Sequence, residues 1–503
     1  MSLDFYQTSN MVSFLNFKKW LIRTIELVDH NYKLQVKKTY EFFKSTAFKF
    51  DAKSSIPFLT DYKDVFKGKP AIIVSAGPSL NKNIEFLKKY KDNALVFCVG
   101  TALPVLYNNG IVPDFLNVIE TVNTSVHYNL PIVKDISFIA ESFTESSYLN
   151  MDFKRKFMTA SLETDAARWY LEKFDREFVP FEAKGTVSYH ALYCAYYLGC
   201  NPIILIGQDL AYSDGCCYAK GSKFDGLKCV FEESIGKFKI ECDDYETFKK
   251  NYFASVDYSP EVEESILQAR LKELNDNLQT VAGQNGEVLP TDSVYALFID
   301  YIKGFASEHG AGLKLINSSV GGALIDGFET LSLDKACEAY ASSPLDKDSL
   351  FEIMDNKKTN ANVYSVLKNL KEDYKVYSHV YKIFKDGIEA CKSLQEELEK
   401  NDAYTDSVKK LLDRLSKIYT KITNQYMQKY RIIKMITLEH YSELSYLTRE
   451  NNFISTLDDA KKYAQAYYQY FLQGESKFLE IGQFLNDSIE NLEKDNESSL
   501  AKS

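Results

Sequence analysis

At 503 residues, 45% hydrophobic and 26% charged, the chain is long enough for two or three domains and for a large buried core. A net charge of −10 argues against a general nucleic-acid binder, which carries a basic face, and leaves room only for a local basic pocket. No apolar run reaches the roughly 20 residues of a membrane helix, and the opening "MSLDFYQTSNMVSFLNFKKW" lacks the basic start and apolar stretch of a signal peptide.

Residues 1–66 are rich in lysine and aromatic residues, with Phe14, Phe17, Trp20 and Leu21 at helical spacing. They read as an N-terminal helical segment. Over residues 67–331 the pattern changes to short apolar runs: Ala71–Ser75, Ala94–Gly100, Phe115–Glu120, Ile136–Glu141, Pro202–Gly207 and Leu313–Asn317. Helix-like stretches lie between several of them, among them Leu80–Lys91, Val187–Leu198 and Asp292–Ser307. Strands apolar on both faces that alternate with helices predict an α/β, Rossmann-like domain with a parallel sheet covered on two sides. The stretch Ser213–Ser255 is polar and contains glycine, with one alternating run, Lys237–Cys242, and reads as a lid or an insertion.

From residue 332 to 503 the strands stop. Leu367, Leu370, Tyr374, Tyr377, Tyr381, Phe384, Ile388, Cys391, Leu394 and Leu398 recur every three or four residues, one face of a long helix that Asn401-Asp402 ends. A second helix carries Leu411, Leu415, Ile418, Ile422 and Met427, and a third carries Tyr463, Tyr467, Phe471, Phe478, Ile481 and Leu485. The expectation is an antiparallel helical bundle whose tyrosine stripe is core.

Four stretches hold residues that could carry chemistry. In "KPAIIVSAGPSLNKN" a buried strand turns through Gly77, Pro78 and Ser79 straight into a helix, whose unpaired N–H groups and positive dipole end suit an anion. In "GCNPIILIGQDLAYSDGCCYAKG" a strand is followed at once by Gln208, Asp209, Tyr212, Asp214, Tyr218 and Lys220, a polar cluster where α/β sheets bind ligands. "LPTD" (289–292) opens a helix with Glu287 just upstream, and Thr291 as N-cap explains it. In "INSSVGGALIDG" (316–327) a strand carrying Asn317 runs into Gly321-Gly322, a pair that lets backbone approach a ligand. Nine scattered cysteines without C-x-x-C and six single histidines give no zinc pattern and suit a reducing, cytoplasmic compartment.

Taken in order, "VSAGPSL", "PDF" (113–115), "LGCNPIILIGQDLAYSDG" and "INSSVGGALIDG" resemble the motility-associated Maf family of flagellin glycosyltransferases, across roughly residues 67–330. The resemblance implies a cytoplasmic, inverting enzyme. It would move a nonulosonic acid, pseudaminic or legionaminic, from its CMP-activated form to Ser or Thr of flagellin. More distantly, the strand–"GPSL" turn and the later glycine–aspartate are similar to bacterial CMP-sialic acid-dependent sialyltransferases, in which two tyrosines six residues apart receive the departing phosphate. Tyr212 and Tyr218 have that spacing. Where those enzymes place a histidine base before a "TD" helix start, this sequence has Glu287.

The implied site puts the donor over Gly77, Pro78, Ser79, Gly100, Thr101, Thr186 and Ser188, with Gln208, Asn317, Gly321 and Gly322 beside it. Tyr212 and Tyr218 would receive the phosphate, and Asp209, Glu287 or Glu120 would deprotonate the acceptor. No metal and no separate cofactor are implied, and the partners are flagellin, held by the bundle, and the CMP-sugar, with no nucleic acid and no membrane. Two rivals remain: an enzyme like 6-hydroxymethyl-dihydropterin pyrophosphokinase, using ATP and Mg²⁺, and a non-catalytic flagellin-binding assembly factor.

Overall fold

The computed structural model describes residues 18, 38–46, 56–121, 128–162, 164–174, 181–234, 236–253, 258–357, 363–400, 403–450, 454 and 456–500. Phe14, Phe17, Trp20, Leu21 and the expected break at Asn401-Asp402 lie outside them.

Eight strands form one sheet: β1 (Ala71–Val74), β2 (Leu95–Val99), β3 (Phe115–Val118), β4 (Ser137–Glu141), β5 (Arg155–Thr159), β6 (Ile203–Ile206), β11 (Leu315–Asn317) and β12 (Glu329–Thr330). Two hairpins stand apart, β7 (Leu227–Glu232) with β8 (Lys237–Cys242) and β9 (Leu278–Ala282) with β10 (Val288–Asp292). The sheet runs β12-β11-β6-β1-β2-β3-β4-β5, and every pairing in it is parallel. All residues of β1, β2, β3, β4, β6 and β11 are buried, which is why six of the eight strands were readable as unbroken apolar runs.

From β1 the chain builds outward to β5, then returns to lay β6 on the other side of β1. Strand order reverses at the β1/β6 boundary, and a crevice opens at the carboxyl ends there. The register is direct, Ala71 opposite Ile203 through Val74 opposite Ile206, so Ser75 and Gly207 leave the sheet side by side. Gly207 has φ +64°, and a Cβ on it would lie 2.0 Å from the Ser75 carbonyl oxygen. Only glycine fits both the left-handed backbone and this approach.

The elements missed from sequence lack the buried-strand signature. β5 opens with Arg155-Lys156 and sits at the sheet edge, and β12 is two exposed residues. "LPTD" ends strand β10 and, as expected, leads straight into a helix, but Thr291 is not its cap. The N-cap of the helix Ser293–His309 is Asp292, which accepts from the Val294 and Tyr295 N–H groups, while the Thr291 hydroxyl donates to the Leu210 carbonyl at 2.8 Å.

The chain divides into two compact units, one within Ser55–Leu162 and Glu177–Ala361 and the other within Met1–Ser54, Glu163–Arg176 and Asn362–Ser503. The sheet unit therefore runs past residue 331. Its helices Leu333–Tyr340 and Lys347–Asp355 are tied down by Tyr90 Oη to Asp334 at 2.9 Å and by Lys347 Nζ to Asp114 at 2.6 Å. In the second unit, Val363–Lys400, Asp406–Lys421, Arg431–Glu450, Leu457–Tyr468 and Gly474–Leu500 are helical. The Val363–Lys400 stripe is core as expected, with Phe384 and Phe478 fully buried at 4.6 Å and Tyr377 Oη donating to the Phe478 carbonyl. The helix Arg431–Glu450 was not anticipated. A short helix, Asp165–Glu172, joins this unit through Asp165–Arg431 at 2.8 Å and Trp169 Nε1 to Asp373 at 2.7 Å. Among the described residues no helix is long and apolar enough to cross a membrane.

The β1/β6 crossing gives a direct test. Gly207→Ala should destabilise the protein by roughly 3–5 kcal/mol in urea unfolding, from strain plus overpacking. Gly286→Ala, at φ +85° but in open space, should cost only about 1–2 kcal/mol.

Candidate active site

A cavity of about 190 Å³ occupies the crevice at the carboxyl ends of β1, β2 and β6. Ser75–Pro78 line it from β1, Val99 and Thr101 from β2, and Gly207–Ala211 from β6. Thr186–Ser188, Cys217, Tyr218, Tyr295 and Phe298 complete the wall. Of the expected residues, the structure brings Gly77, Pro78, Thr101, Thr186, Ser188, Gln208, Asp209 and Tyr218 together here. Ser79, Gly100, Glu120, Tyr212, Glu287, Asn317, Gly321 and Gly322 are not in the lining.

The "AGPSL" turn already holds an anion, and it is the chain's own. The buried Asp209 carboxylate accepts from Ser79 N at 3.2 Å, from Ser79 Oγ at 2.7 Å and from Ser213 Oγ at 2.9 Å. Gly77 N donates to the Gly207 carbonyl at 2.7 Å, and Leu80 N and Asn81 N close onto Gly77 and Pro78. The donors expected to receive a phosphate over Gly77–Ser79 are therefore committed within the protein. Gly77 is required for the same reason, because a Cβ there would meet Asp209 Oδ2 at 2.1 Å. Burial outweighs these hydrogen bonds and pushes the Asp209 pKa up to about 6.

A second helix offers the open N-terminus. Thr186 stands at the N-cap of Val187–Tyr197 in extended conformation with no side-chain cap, its hydroxyl 3.1 Å from Ser188 Oγ. The first intrahelical bond runs from His190 N to the Thr186 carbonyl. The N–H groups of the first turn thus remain for a ligand, at the positive dipole end and beside the cavity.

The tyrosines divide in function. Tyr212 is buried and its hydroxyl donates to Asp292 Oδ2, so it serves the N-cap of the Ser293 helix and not the cavity. Its pKa is raised, by burial first and by Asp292 second. Tyr218 lines the cavity, and Tyr295, which the sequence reading missed, lines it too, its ring centroid 6.5 Å from that of Tyr218 and its hydroxyl close enough to act on the Tyr218 phenol. Only the fold brings Tyr295 there, through the cap that starts its helix.

The other expected residues make hydrogen bonds or close contacts within the chain, as Gln208 does while also lining the cavity. Glu287 closes the β9–β10 turn, accepting from Asn285 N at 2.9 Å. Gly322 lies against Asp209, whose carbonyl accepts from Ala323 N at 2.7 Å. Asn317 Oδ1 takes Ser319 N at 3.0 Å, and Ser319 Oγ accepts from Gln208 N at 2.8 Å. Gln208 Oε1 in turn accepts from Ser75 Oγ at 2.6 Å. Gly100 leaves room for the Tyr128 hydroxyl. Glu120 lies two residues past β3, accepting from Ile119 N at 3.1 Å, and burial raises its pKa. Behind the Val187 helix lies a buried relay with no sequence signal. Thr159 Oγ1 donates to Glu141 at 2.8 Å and lies 2.8 Å from His190 Nε2, and His190 Nδ1 lies 3.2 Å from Asn117 Nδ2. Burial pushes Glu141 up to about 7 and His190 down to about 3.

A family model described as "6-hydroxymethylpterin diphosphokinase MptE-like" matches residues 47–215, which span the "GPSL" turn and the "GQDLAY" block. The chain is 27% identical over 257 residues to serine/threonine-protein kinase 31 of Homo sapiens, covering 42% of this chain and 25% of that protein. It is 40% identical over 60 residues to an uncharacterized protein of Treponema pallidum (strain Nichols), covering 12% and 29%. The chain thus spans less than a third of either curated relative. A solved structure, "Structure of MAf glycosyltransferase from Magnetospirillum magneticum AMB-1", aligns over 92% of this chain and 63% of that one, with TM-score 0.48 and 14% identity.

The buried Asp209 gives a pH test. Its folded pKa of about 6 lies above the ordinary 3.8, so its contribution to stability is complete below about pH 3.8 and is lost as pH rises through about 6. Glu141 acts with the same sign up to about 7 and stays in the variant. Between about pH 4 and 7, wild type should lose roughly 2–3 kcal/mol more than Asp209→Asn in urea unfolding. Parallel curves would overturn this reading of Asp209.

Proposed function

We propose that the chain is a glycosyltransferase that moves a nonulosonic acid, pseudaminic or legionaminic, from its CMP-activated form to Ser or Thr of flagellin. The observation that carries this is the cavity, where the open Val187 helix end, the Tyr218 and Tyr295 phenols and one buried carboxylate meet. A donor with a single phosphate loads negative charge on that phosphate as the glycosidic bond breaks. Helix N–H groups and phenol hydroxyls stabilise such charge without a divalent ion. The motif resemblance supplies the sugar and the acceptor.

In the step, the acceptor oxygen attacks the anomeric carbon from the face opposite the phosphate, so the configuration inverts. The C–O bond to phosphate breaks with its electron pair, and CMP leaves toward the Val187 helix end and Tyr218. The acceptor proton passes to a carboxylate. Of Asp209, Glu287 and Glu120, Asp209 is the one that lines the cavity, and a carboxylate raised to about 6 is a stronger base than an ordinary one. The bundle, which holds none of the nucleotide-like motifs, is assigned to the acceptor, and the compartment is the cytoplasm, where flagellin is made.

The family match over residues 47–215 favours a second reading, a pterin diphosphokinase that needs ATP and Mg²⁺. Incubating the protein with flagellin and either CMP-sugar in excess EDTA, then weighing the flagellin, separates the two. We expect a mass gain equal to one or more nonulosonic acids. No gain with any CMP-sugar, together with Mg²⁺-dependent diphosphorylation of the pterin, would establish the rival. Tyr218→Phe should slow both transfer and CMP-sugar hydrolysis by about 10²–10³, because both break the same bond. Full activity in that variant would remove Tyr218 from the mechanism.

A further inference from the structure

Beyond Tyr218, outside the cavity lining, two cations meet on one aromatic ring. Lys223 Nζ lies 5.9 Å and Arg270 Cζ 5.7 Å from the centroid of Phe224. That ring packs 4.7 Å from Tyr218, which reaches the cavity. Lys223 comes from the loop after Tyr218, Arg270 from the helix Pro260–Asp276, so the fold has brought them together across about fifty residues of chain. Both are partly buried.

Among the described residues Lys223 has no partner charge in contact, and Arg270 is paired on one side only. Lys223 forms no ion pair among the described residues, although Glu120 is close enough for its charge to act on it. Lys223 also stands 5.1 Å from the Tyr252 ring. Arg270 Nη1 bonds Glu273 at 2.9 Å, but its Nε is buried with no hydrogen-bond partner. An unpaired buried donor costs about 1–3 kcal/mol, and two like charges at one ring repel. The faces of Phe224 and Tyr252 offset part of this. Burial and the neighbouring Arg270 both favour the neutral form of Lys223. Such a pair is relieved by an anion placed between a guanidinium edge and an ammonium.

We propose that Lys223 and Arg270 form a subsite for a carboxylate on the donor sugar, next to the phenol that receives its phosphate. The inference rests on the reading of the cavity as a CMP-sugar site. It adds that the enzyme selects acidic sugars through these two side chains. A guanidinium presents N–H groups in a planar fork that a carboxylate matches, and the unpartnered Nε is one tine of it.

Titration calorimetry on the full chain tests this with CMP, CDP, CMP-legionaminic acid and CMP-pseudaminic acid. Wild type should bind a CMP-sugar acid more tightly than CMP. Lys223→Met and Arg270→Gln should each weaken the sugar nucleotide by about tenfold or more and leave CMP unchanged, which also shows that the variants are folded. If the sugar acid keeps its advantage in both variants, the subsite is overturned and the CMP-sugar reading stands. If the variants lose CDP affinity and not that of the sugar acid, the cations hold a second phosphate and the carboxylate assignment is wrong. Should wild type bind neither CMP nor CMP-sugar, the cavity reading fails and the subsite falls with it.

Discussion

The carboxylate of Asp209 closes the one place where the sheet changes direction. It leaves the end of β6, crosses to the turn after β1 and accepts the Ser79 N–H and hydroxyl together with the Ser213 hydroxyl. Hydrogen bonds to a charged acceptor contribute about 1.5–3 kcal/mol each, yet burial still lifts the pKa to about 6. Desolvation and hydrogen bonding are thus in close opposition, and small changes nearby decide the protonation state. Gly77 and Gly207 are glycine because this contact and the Ser75 carbonyl leave no space for a Cβ. Gln208, Ser319 and Asn317 extend the same fastening to β11.

Because this carboxylate occupies the Leu80 helix end, that end keeps no free donor at Ser79 for an anion. The Val187 helix, entered through the uncapped Thr186, has its end open at the same cavity. The buried relay from Glu141 through Thr159 to His190 and Asn117 packs that helix to β3, β4 and β5. A neutral His190, kept so by burial, suits a structural hydrogen bond far better than proton transfer near pH 7. Asp209, Tyr218 and Tyr295 come to this cavity from three separate stretches of the chain.

Those segments are positioned by short polar contacts that have no periodicity. Asp292 caps the Ser293 helix and also receives the Tyr212 hydroxyl, fixing Tyr295 beside Tyr218. The β9–β10 hairpin that delivers Asp292 is joined to the loop after β6 through the Tyr212 N–H to the Pro290 carbonyl at 2.8 Å. A residue such as Glu287, which has a suitable offset in sequence, closes the hairpin turn and does not reach the cavity.

Six buried strands and the long aromatic face of Val363–Lys400 could be read from the sequence alone, because continuous apolar runs and a three-to-four spacing each bury in only one way. The cavity after β1 and β6 could be read too, since polar residues directly after a buried strand mark a crevice. What tertiary structure decided was the partner of each polar group. That the "GPSL" turn binds Asp209, that Tyr212 serves Asp292 and that Tyr295 joins Tyr218 depend on distances between residues up to about 130 positions apart. The grouping of Asp165–Glu172 with the bundle and of Leu333–Asp355 with the sheet has the same origin. Hydrophobic periodicity is local and repeats along the chain, whereas a hydrogen bond or ion pair needs only two groups and leaves no pattern between them.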